Sequence, residues 1–263
     1  MRLTKSRFIT ALTCPTKLFY MADKNYANQS VEDTFLAALA EGGFQVGELA
    51  KQYFPDGVNI VTLDATKAVN QTSELLKNEN VTIFEAAIKY ENCFIRIDVL
   101  EKKGHLIKIH EVKAKSVDGN QPSQFLKKDG APNSIWKKYL YDVAFQKWVC
   151  SRALPGHSIA ANLMLADKSK RIAASGLNQK FRVHEINGRK QVQVEGDILK
   201  VHLSPKILTS VNVDNICTGI FTSTDHGLRV EETFDQMVQR FSLACQHGKL
   251  IQSELGTHCG KCE

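Results

Sequence analysis

The chain has 263 residues, a formal net charge of +6 at pH 7, 43% hydrophobic residues and 24% charged ones. That length and composition fit one sizeable globular domain and exclude a disordered or fibrous chain. No apolar run reaches the roughly 20 residues that a membrane-spanning helix needs. Thr4, Ser6, Arg7 and Thr10 interrupt any signal-peptide core, so a cytoplasmic protein is expected.

In chain order, residues 1–30 are expected to form a helical arm, 31–230 the core, and 231–263 a C-terminal helix with a cysteine pair. Residues 31–54 carry Phe35, Leu36, Leu39, Ala40, Val46, Leu49, Ala50 and Tyr53 at helical spacing; Gly42-Gly43 should break or kink that helix and Pro55-Asp56-Gly57 should end it. Residues 58–63 read as a strand, 65–77 as a helix, and 81–90 as the first strand of a meander. The meander continues through 94–100 (FIRIDVL), turns at Lys103-Gly104 and returns through 106–112 (LIKIHEV). A loop fills 116–134, and 135–152 is an amphipathic helix with Tyr139, Val143, Gln146 and Cys150 along one stripe. Residues 159–165 (IAANLML) read as a buried strand, 181–185 and 192–194 as weaker ones, and 230–248 as a final helix.

The chemistry concentrates in the hairpin, where Asp98 precedes the triplet Glu111-Val112-Lys113 by one turn of the chain. Side chains alternate faces along a strand, so Glu111 and Lys113 share a face, and Asp98 can join them from the neighbouring strand. A hard cation such as Mg²⁺ prefers oxygen, keeps several waters and takes one or two protein carboxylates beside substrate phosphate. Asp98, Glu111 and the Val112 carbonyl form such a set, with Lys113 free to steady an attacking water or a phosphoryl oxygen. The same spacing is common as solvent-facing charge on exposed hairpins, so the triplet needs its context. His110 should face away from Glu111, His105 should decorate its strand, and Trp136 and Trp148 should anchor the core.

Seven cysteines at irregular spacing do not describe a disulfide scaffold. Cys259-Gly260-Lys261-Cys262 is a pair suited to zinc, iron–sulfur or redox chemistry, whereas Cys93, Cys150 and Cys217 sit in apolar settings and read as buried small hydrophobes. Basic residues gather at Lys127, Lys128, Lys137 and Lys138, and again at Lys168, Lys170, Arg171, Lys180 and Arg182. Clusters of this kind are ordinary solvated faces or tracks for a polyanion.

The order of these motifs resembles the PD-(D/E)XK nuclease superfamily, within it the RecB-like branch that includes the CRISPR-associated iron–sulfur exonucleases and the AddB nuclease domain. The phrases that carry the resemblance are 3–7 (LTKSR) with 14–20 (CPTKLFY), 43–50 (GFQVGELA), Asp98, Glu111 with Lys113, Gln146 within DVAFQKWVC, and Cys259 with Cys262. It spans most of the chain. It implies an α/β restriction-endonuclease-like core, a mixed central sheet flanked by helices, with a helical N-terminal arm. The implied activity is metal-dependent hydrolysis of DNA phosphodiester bonds, on single-stranded DNA or DNA ends.

By the same resemblance, Asp98, Glu111 and Val112 hold Mg²⁺ or Mn²⁺, Lys113 orients the nucleophilic water, and Gln146 contacts water or phosphate. Cys14, Cys259 and Cys262 hold a 4Fe-4S cluster, with zinc as the alternative. Many relatives place a histidine ligand where this chain has Gly47-Glu48, which makes Glu48 the substitute ligand and Glu85 a second candidate. Cys150 stands where a tyrosine often follows the glutamine. A fourth cluster ligand would be His258, Cys245 or a residue beyond Glu263, and a chain trimmed at its C-terminus is expected. Two other readings stay open: a nucleic-acid-binding module that cleaves nothing, and a zinc-stabilised structural or interaction domain of a larger protein.

Overall fold

The expected meander forms the centre of the molecule. The structure, a computed structural model, describes residues 1–21, 25–26, 34–119, 125–172, 175–186, 189–228, 230–254, 256 and 259. Its strands are β1 (Leu3–Thr4), β2 (Val58–Asn59), β3 (Asn80–Tyr90), β4 (Cys93–Lys103), β5 (Leu106–Val117), β6 (Ser158–Asp167), β7 (Phe181–Ile186), β8 (Arg189–Val194) and β9 (Leu208–Asn212). Its helices are α1 (Lys5–Thr13), α2 (Lys17–Tyr20), α3 (Thr34–Gln52), α4 (Ala65–Leu75), α5 (Ser134–Ala153), α6 (Lys200–Leu203), α7 (Asp214–Thr222) and α8 (Phe234–His247).

A seven-stranded sheet runs β2-β3-β4-β5-β6-β9, with β1 added beside β4, and β7 and β8 pair separately. The meander β3-β4-β5 is antiparallel, and Gly104 (φ 55) supplies the left-handed residue at its tight turn. β5 and β6 are parallel, a pairing that needs a crossover, and α5 provides it. β1 with β4 and β2 with β3 are also parallel, while β6 with β9 is antiparallel. The result is a mixed α/β fold with helices on a central mixed sheet, the arrangement expected of a restriction-endonuclease-like core.

The two sheet faces carry different cores. On one, α1, α4, α5, α7 and α8 close over Ile95, Ile97, Ile107, Ile109 and Leu163. Phe8 of α1 stacks on Phe145 of α5 at 4.5 Å and meets Phe234 and Phe241 at 5.7 and 6.2 Å, so the N-terminal helix is wedged into this core. Each such fully buried large side chain contributes about 1.5–3 kcal/mol. On the other face, Leu49 and Ala50 of α3 and Phe181 of β7 cover Phe84, Val99, Val112 and Met164. Local signals fix the helix ends: Asn133 caps α5 through Ile135 N, and α8 has a Thr233/Gln236 capping box and a left-handed Gly248 at its end.

Several sequence expectations change. α3 runs unbroken through Gly42 and Gly43; an added Cβ at either would meet nothing within 4 Å, so they weaken helix propensity by about 1 kcal/mol each without interrupting the ladder. The strand expected over 58–63 shrinks to β2, because Val61 and Leu63 are 77% and 63% exposed and no sheet neighbour buries them. β5 continues to Val117, and the last helix begins at Phe234. β1, β9, α6 and α7 have no counterpart in the sequence reading. No described helix is long and apolar enough to cross a membrane.

Candidate active site

The site begins where the meander stops pairing. The β4–β5 ladder runs from Lys103↔Leu106 to Val99↔His110. In that register the next pair would be Asp98 and Glu111, but there the Val112 N–H donates instead to Asp98 Oδ2 at 2.7 Å. The edge of β4 released by β5 is taken by β1, with Leu3 beside Cys93 and Thr4 beside Phe94. Residues 95–98 therefore lie between the two neighbours, and Lys5, the next residue after Thr4, enters that interval.

The β3 side of β4 is distorted at the same level. Phe84↔Val99 and Ala86↔Ile97 are paired, while Glu85 and Asp98 between them are not, and Glu85 has φ 56. A left-handed non-glycine residue inside a strand costs about 1–3 kcal/mol and persists only where its surroundings impose it. The alternation of β4 changes phase here: Ile95 and Ile97 share the larger core with Leu100, whereas Val99 belongs to the smaller one.

Glu111 is the centre of the cluster and is 1% exposed. Its Oε2 accepts from Lys5 Nζ at 2.8 Å and from Gln146 Nε2 at 2.6 Å, while its Oε1 accepts from Lys113 Nζ. Lys113 also pairs with Asp142 Oδ2 at 3.1 Å, and Gln146 Nε2 lies 3.2 Å from Asp142 Oδ1. Asp142 and Gln146 are one helical turn apart on α5, which presents both to β5. Lys5 Nζ reaches Asp98 Oδ1 at 3.5 Å. Gln146 Oε1 is buried with no hydrogen-bond partner among the described residues.

Electrostatics divides the acids. Burial opposes ionisation of Glu111, but the Lys5 and Lys113 ammoniums outweigh it and hold that carboxyl well below the usual range. Asp98 is pushed up to about 7 by burial and by the Glu111 charge. Asp142 rises to about 6 for the same reasons. Burial also disfavours the Lys113 ammonium, yet Glu111 and Asp142 keep its pKa above the ordinary value. At neutral pH the cluster thus has a fixed anion, persistent cations and two carboxyls close to titration.

Of the residues singled out in the sequence, Asp98, Glu111, Lys113 and Gln146 meet, and Val112 joins through its N–H. Glu48 sits on α3 paired with Lys51 at 3.0 Å and near Gln52 at 3.5 Å; among the described residues it makes no hydrogen bond or ion pair with Asp98 or Glu111. Among the described residues, no group of three His, Cys, Asp or Glu side chains is arranged to hold a metal ion. Lys5 and Asp142 were missed. The spacing of Asp142 to Gln146 was readable as a helical pair, whereas Lys5 depends on the pairing of a two-residue strand.

No protein-family model matches the chain, and no curated protein does. Among solved structures, the chain is similar to the crystal structure of LHK-Exo in complex with dAMP, at 9% identity and a TM-score of 0.30, over 94% of this chain and 88% of that one.

Cys14 packs against the C-terminal segment. Cys14 ends α1, is 9% exposed, and has its Sγ 3.5 Å from Ser253 Oγ. Thr16 and Ser253 exchange hydrogen bonds, with Ser253 N donating to Thr16 Oγ1 at 2.9 Å and Thr16 N to Ser253 Oγ at 3.2 Å. Burial opposes ionisation of the Cys14 thiol, but the hydrogen bonds from Ser253 and from the Lys17 and Thr16 backbone hold its pKa below the ordinary value. Cys259 N donates to Gly256 O at 2.9 Å, and its Sγ accepts from Gly256 N at 3.4 Å. Cys262 and His258 lie outside the described residues. Cys245 is buried in the larger core with its thiol pushed up by burial; Cys93 and Cys217 behave likewise, at about 11 and about 12.

Proposed function

We propose that the chain is a metal-dependent nuclease that hydrolyses DNA phosphodiester bonds, acting on single strands or ends. One observation carries this reading: Asp98 and Glu111 converge on a shared cation, the Lys5 ammonium, at 3.5 and 2.8 Å. A hard divalent ion needs no more than such a carboxylate pair, a backbone carbonyl such as that of Val112, and water, so the donor set fits Mg²⁺ or Mn²⁺. Bound there, the ion would act as a Lewis acid on a phosphoryl oxygen and neutralise charge developing on the phosphate.

The chain's own groups have separable tasks. Lys113, anchored by Glu111 and Asp142 and kept charged, directs an ammonium at the attacking water or a non-bridging oxygen. Gln146 fixes Glu111 through its Nε2, and its unpaired Oε1 is an acceptor for the nucleophilic water. Asp142 positions both. Lys115 lies further along β5 and rests over Trp136 and Tyr139 at 4.9 and 5.4 Å, and Lys138 lies 4.9 Å over Tyr139. Cations held there offer phosphate contacts beside the site and would make binding salt-dependent. Cys14, Cys259 and Cys262 would hold a 4Fe-4S cluster or zinc; the CxxC spacing of the last two, and Cys14 lying against Ser253 of the C-terminal segment, support that reading.

The test is incubation of labelled linear and circular, single- and double-stranded DNA with Mg²⁺ or Mn²⁺. Metal-dependent cleavage of linear single strands is expected, absent in Asp98→Ala and reduced by about 100-fold or more in Lys113→Ala with DNA binding retained. Salt-sensitive binding without cleavage in every arm would replace this reading with that of a binding module.

A further inference from the structure

Lys5 has no role in the reaction as drawn, yet it is the most intrusive group in the site. Its ammonium lies between the two proposed ion ligands, and its ion-pair partners among the described residues are those two carboxylates alone, Glu111 at 2.8 Å and Asp98 at 3.5 Å. Lys113 differs, because Asp142 at 3.1 Å gives it a second anchor outside that pair. Both Glu111 oxygens are already engaged, so an arriving ion must displace a donor. An ammonium and a divalent cation cannot occupy the same few ångströms between two carboxylates, because they repel each other and compete for the same lone pairs.

We propose that Lys5 is a tethered competitor for the divalent ion: it fills the place between Asp98 and Glu111 in the metal-free chain and must swing out for the ion to enter. The proposal rests on the nuclease reading above and specifies how that site is regulated.

The backbone that carries Lys5 is fixed at both ends. Thr4 caps α1 by accepting from Arg7 N at 3.4 Å, Phe8 is stacked on Phe145, and Cys14 and Thr16 are tied to Ser253. Withdrawal is therefore a rotation of the flexible four-carbon stem, through an opening that leaves the Lys5 side chain 22% exposed. The released ammonium remains tethered at the mouth of the site, where a DNA phosphate is its natural partner. Substrate phosphate then draws Lys5 outward and favours ion entry, so that DNA and metal bind with positive coupling that is reciprocal. Metal-free protein keeps its carboxylates compensated meanwhile, which avoids the penalty of a buried unpaired charge.

The experiment is a Mn²⁺ titration of the full chain without DNA, followed by electron paramagnetic resonance of the free ion. The variants are Lys5→Met, Lys5→Gln, Lys5→Arg and Asp98→Asn. Lys5→Met and Lys5→Gln are expected to bind Mn²⁺ about tenfold more tightly than wild type, and Lys5→Arg no more tightly than wild type. A short non-cleavable phosphorothioate oligonucleotide should raise Mn²⁺ affinity in wild type by a larger factor than in Lys5→Met, where only direct phosphate coordination of the ion remains. Unchanged or weaker binding in both neutral variants, with binding still dependent on Asp98, overturns the competitor while sparing the nuclease reading. Absence of Mn²⁺ binding in wild type and in both neutral variants, or binding indifferent to Asp98→Asn, removes the nuclease site and the competitor with it.

Discussion

Two polar clusters lie back to back on β4 and β5, built on successive residues, and they differ in kind. On the face covered by α3, His110 joins Glu101 through Nε2 at 2.7 Å and Ser210 through Nδ1 at 2.7 Å, with the Phe54 ring 6.0 Å away. On the face covered by α5, Glu111 gathers Lys5, Lys113 and Gln146. The first cluster sits within the regular ladder, each ring nitrogen has a partner, and the hydrogen bond from His110 lowers the Glu101 pKa. The second sits where the ladder stops, sets three carboxyls against two ammoniums, and leaves an amide oxygen without a partner among the described residues. Charge density does not distinguish the two. Surplus charge and unspent hydrogen-bonding capacity do, because these can be spent on a ligand.

The comparison breaks most visibly at Glu111. Glu111→Gln removes the acid shared by Lys5 and Lys113 and leaves Lys5 to Asp98 and Lys113 to Asp142; removing one partner of a buried ion pair costs about 3–5 kcal/mol, and those remaining partners bring the cost to the lower end of that range or below it. A lower urea midpoint of that size is expected, together with loss of Mn²⁺ binding. A variant as stable as wild type would mean that the cations relax into solvent, and that the cluster is a surface feature like any other.

A smaller effect is expected from pH. In the folded chain Asp98 and Asp142 rise from their ordinary value of 3.8 to about 7 and about 6. A carboxyl whose folded pKa is raised favours folding fully below its unfolded pKa and loses that contribution as pH rises through the folded value. Stability of the metal-free protein should therefore fall between about pH 4 and pH 7. Glu111 works in the opposite direction, since its lowered pKa contributes above about 4.5 and is lost only in strong acid. Urea midpoints at pH 5 and pH 7.5 check the sign, and Asp142→Asn should flatten the slope. The Glu101 carboxyl, lowered by the His110 hydrogen bond, contributes a slope of the opposite sign near its ordinary value and so cannot produce this fall.

Much of this contrast was legible in the sequence. Period-two alternation placed Glu111 with Lys113 and sent His110 to the other face, and the helical stripe of 135–152 carried Gln146 toward the strand. What alternation cannot see is a strand that changes phase, as β4 does at Asp98 opposite the left-handed Glu85. Nor can it see Lys5, whose position follows from β1 occupying an edge that β5 has left; two residues are too few to show a period. β9 was missed for a related reason, since LTSVN is a mostly polar strand with only Leu208 buried. Gly42-Gly43 misled in the other direction, because the small propensity cost of two glycines is outweighed by the later turns of the helix, where Val46, Leu49 and Ala50 pack on the smaller core.

The smallest expected effect is also the sharpest control. Glu101→Gln removes the charge from the closed cluster but keeps an oxygen that can accept from His110 Nε2, so the hydrogen bond survives and only its charge-assisted part is lost. Glu101 is 20% exposed, and a change of about 1 kcal/mol or less in stability is expected, with Mn²⁺ binding and cleavage unchanged. Neutralising an acid on the same two strands then has opposite consequences depending on its face. If Glu101→Gln lowered cleavage as far as Lys113→Ala does, the two clusters would be coupled through β4 and β5. The distinction between a satisfied network and an open one would no longer mark the site.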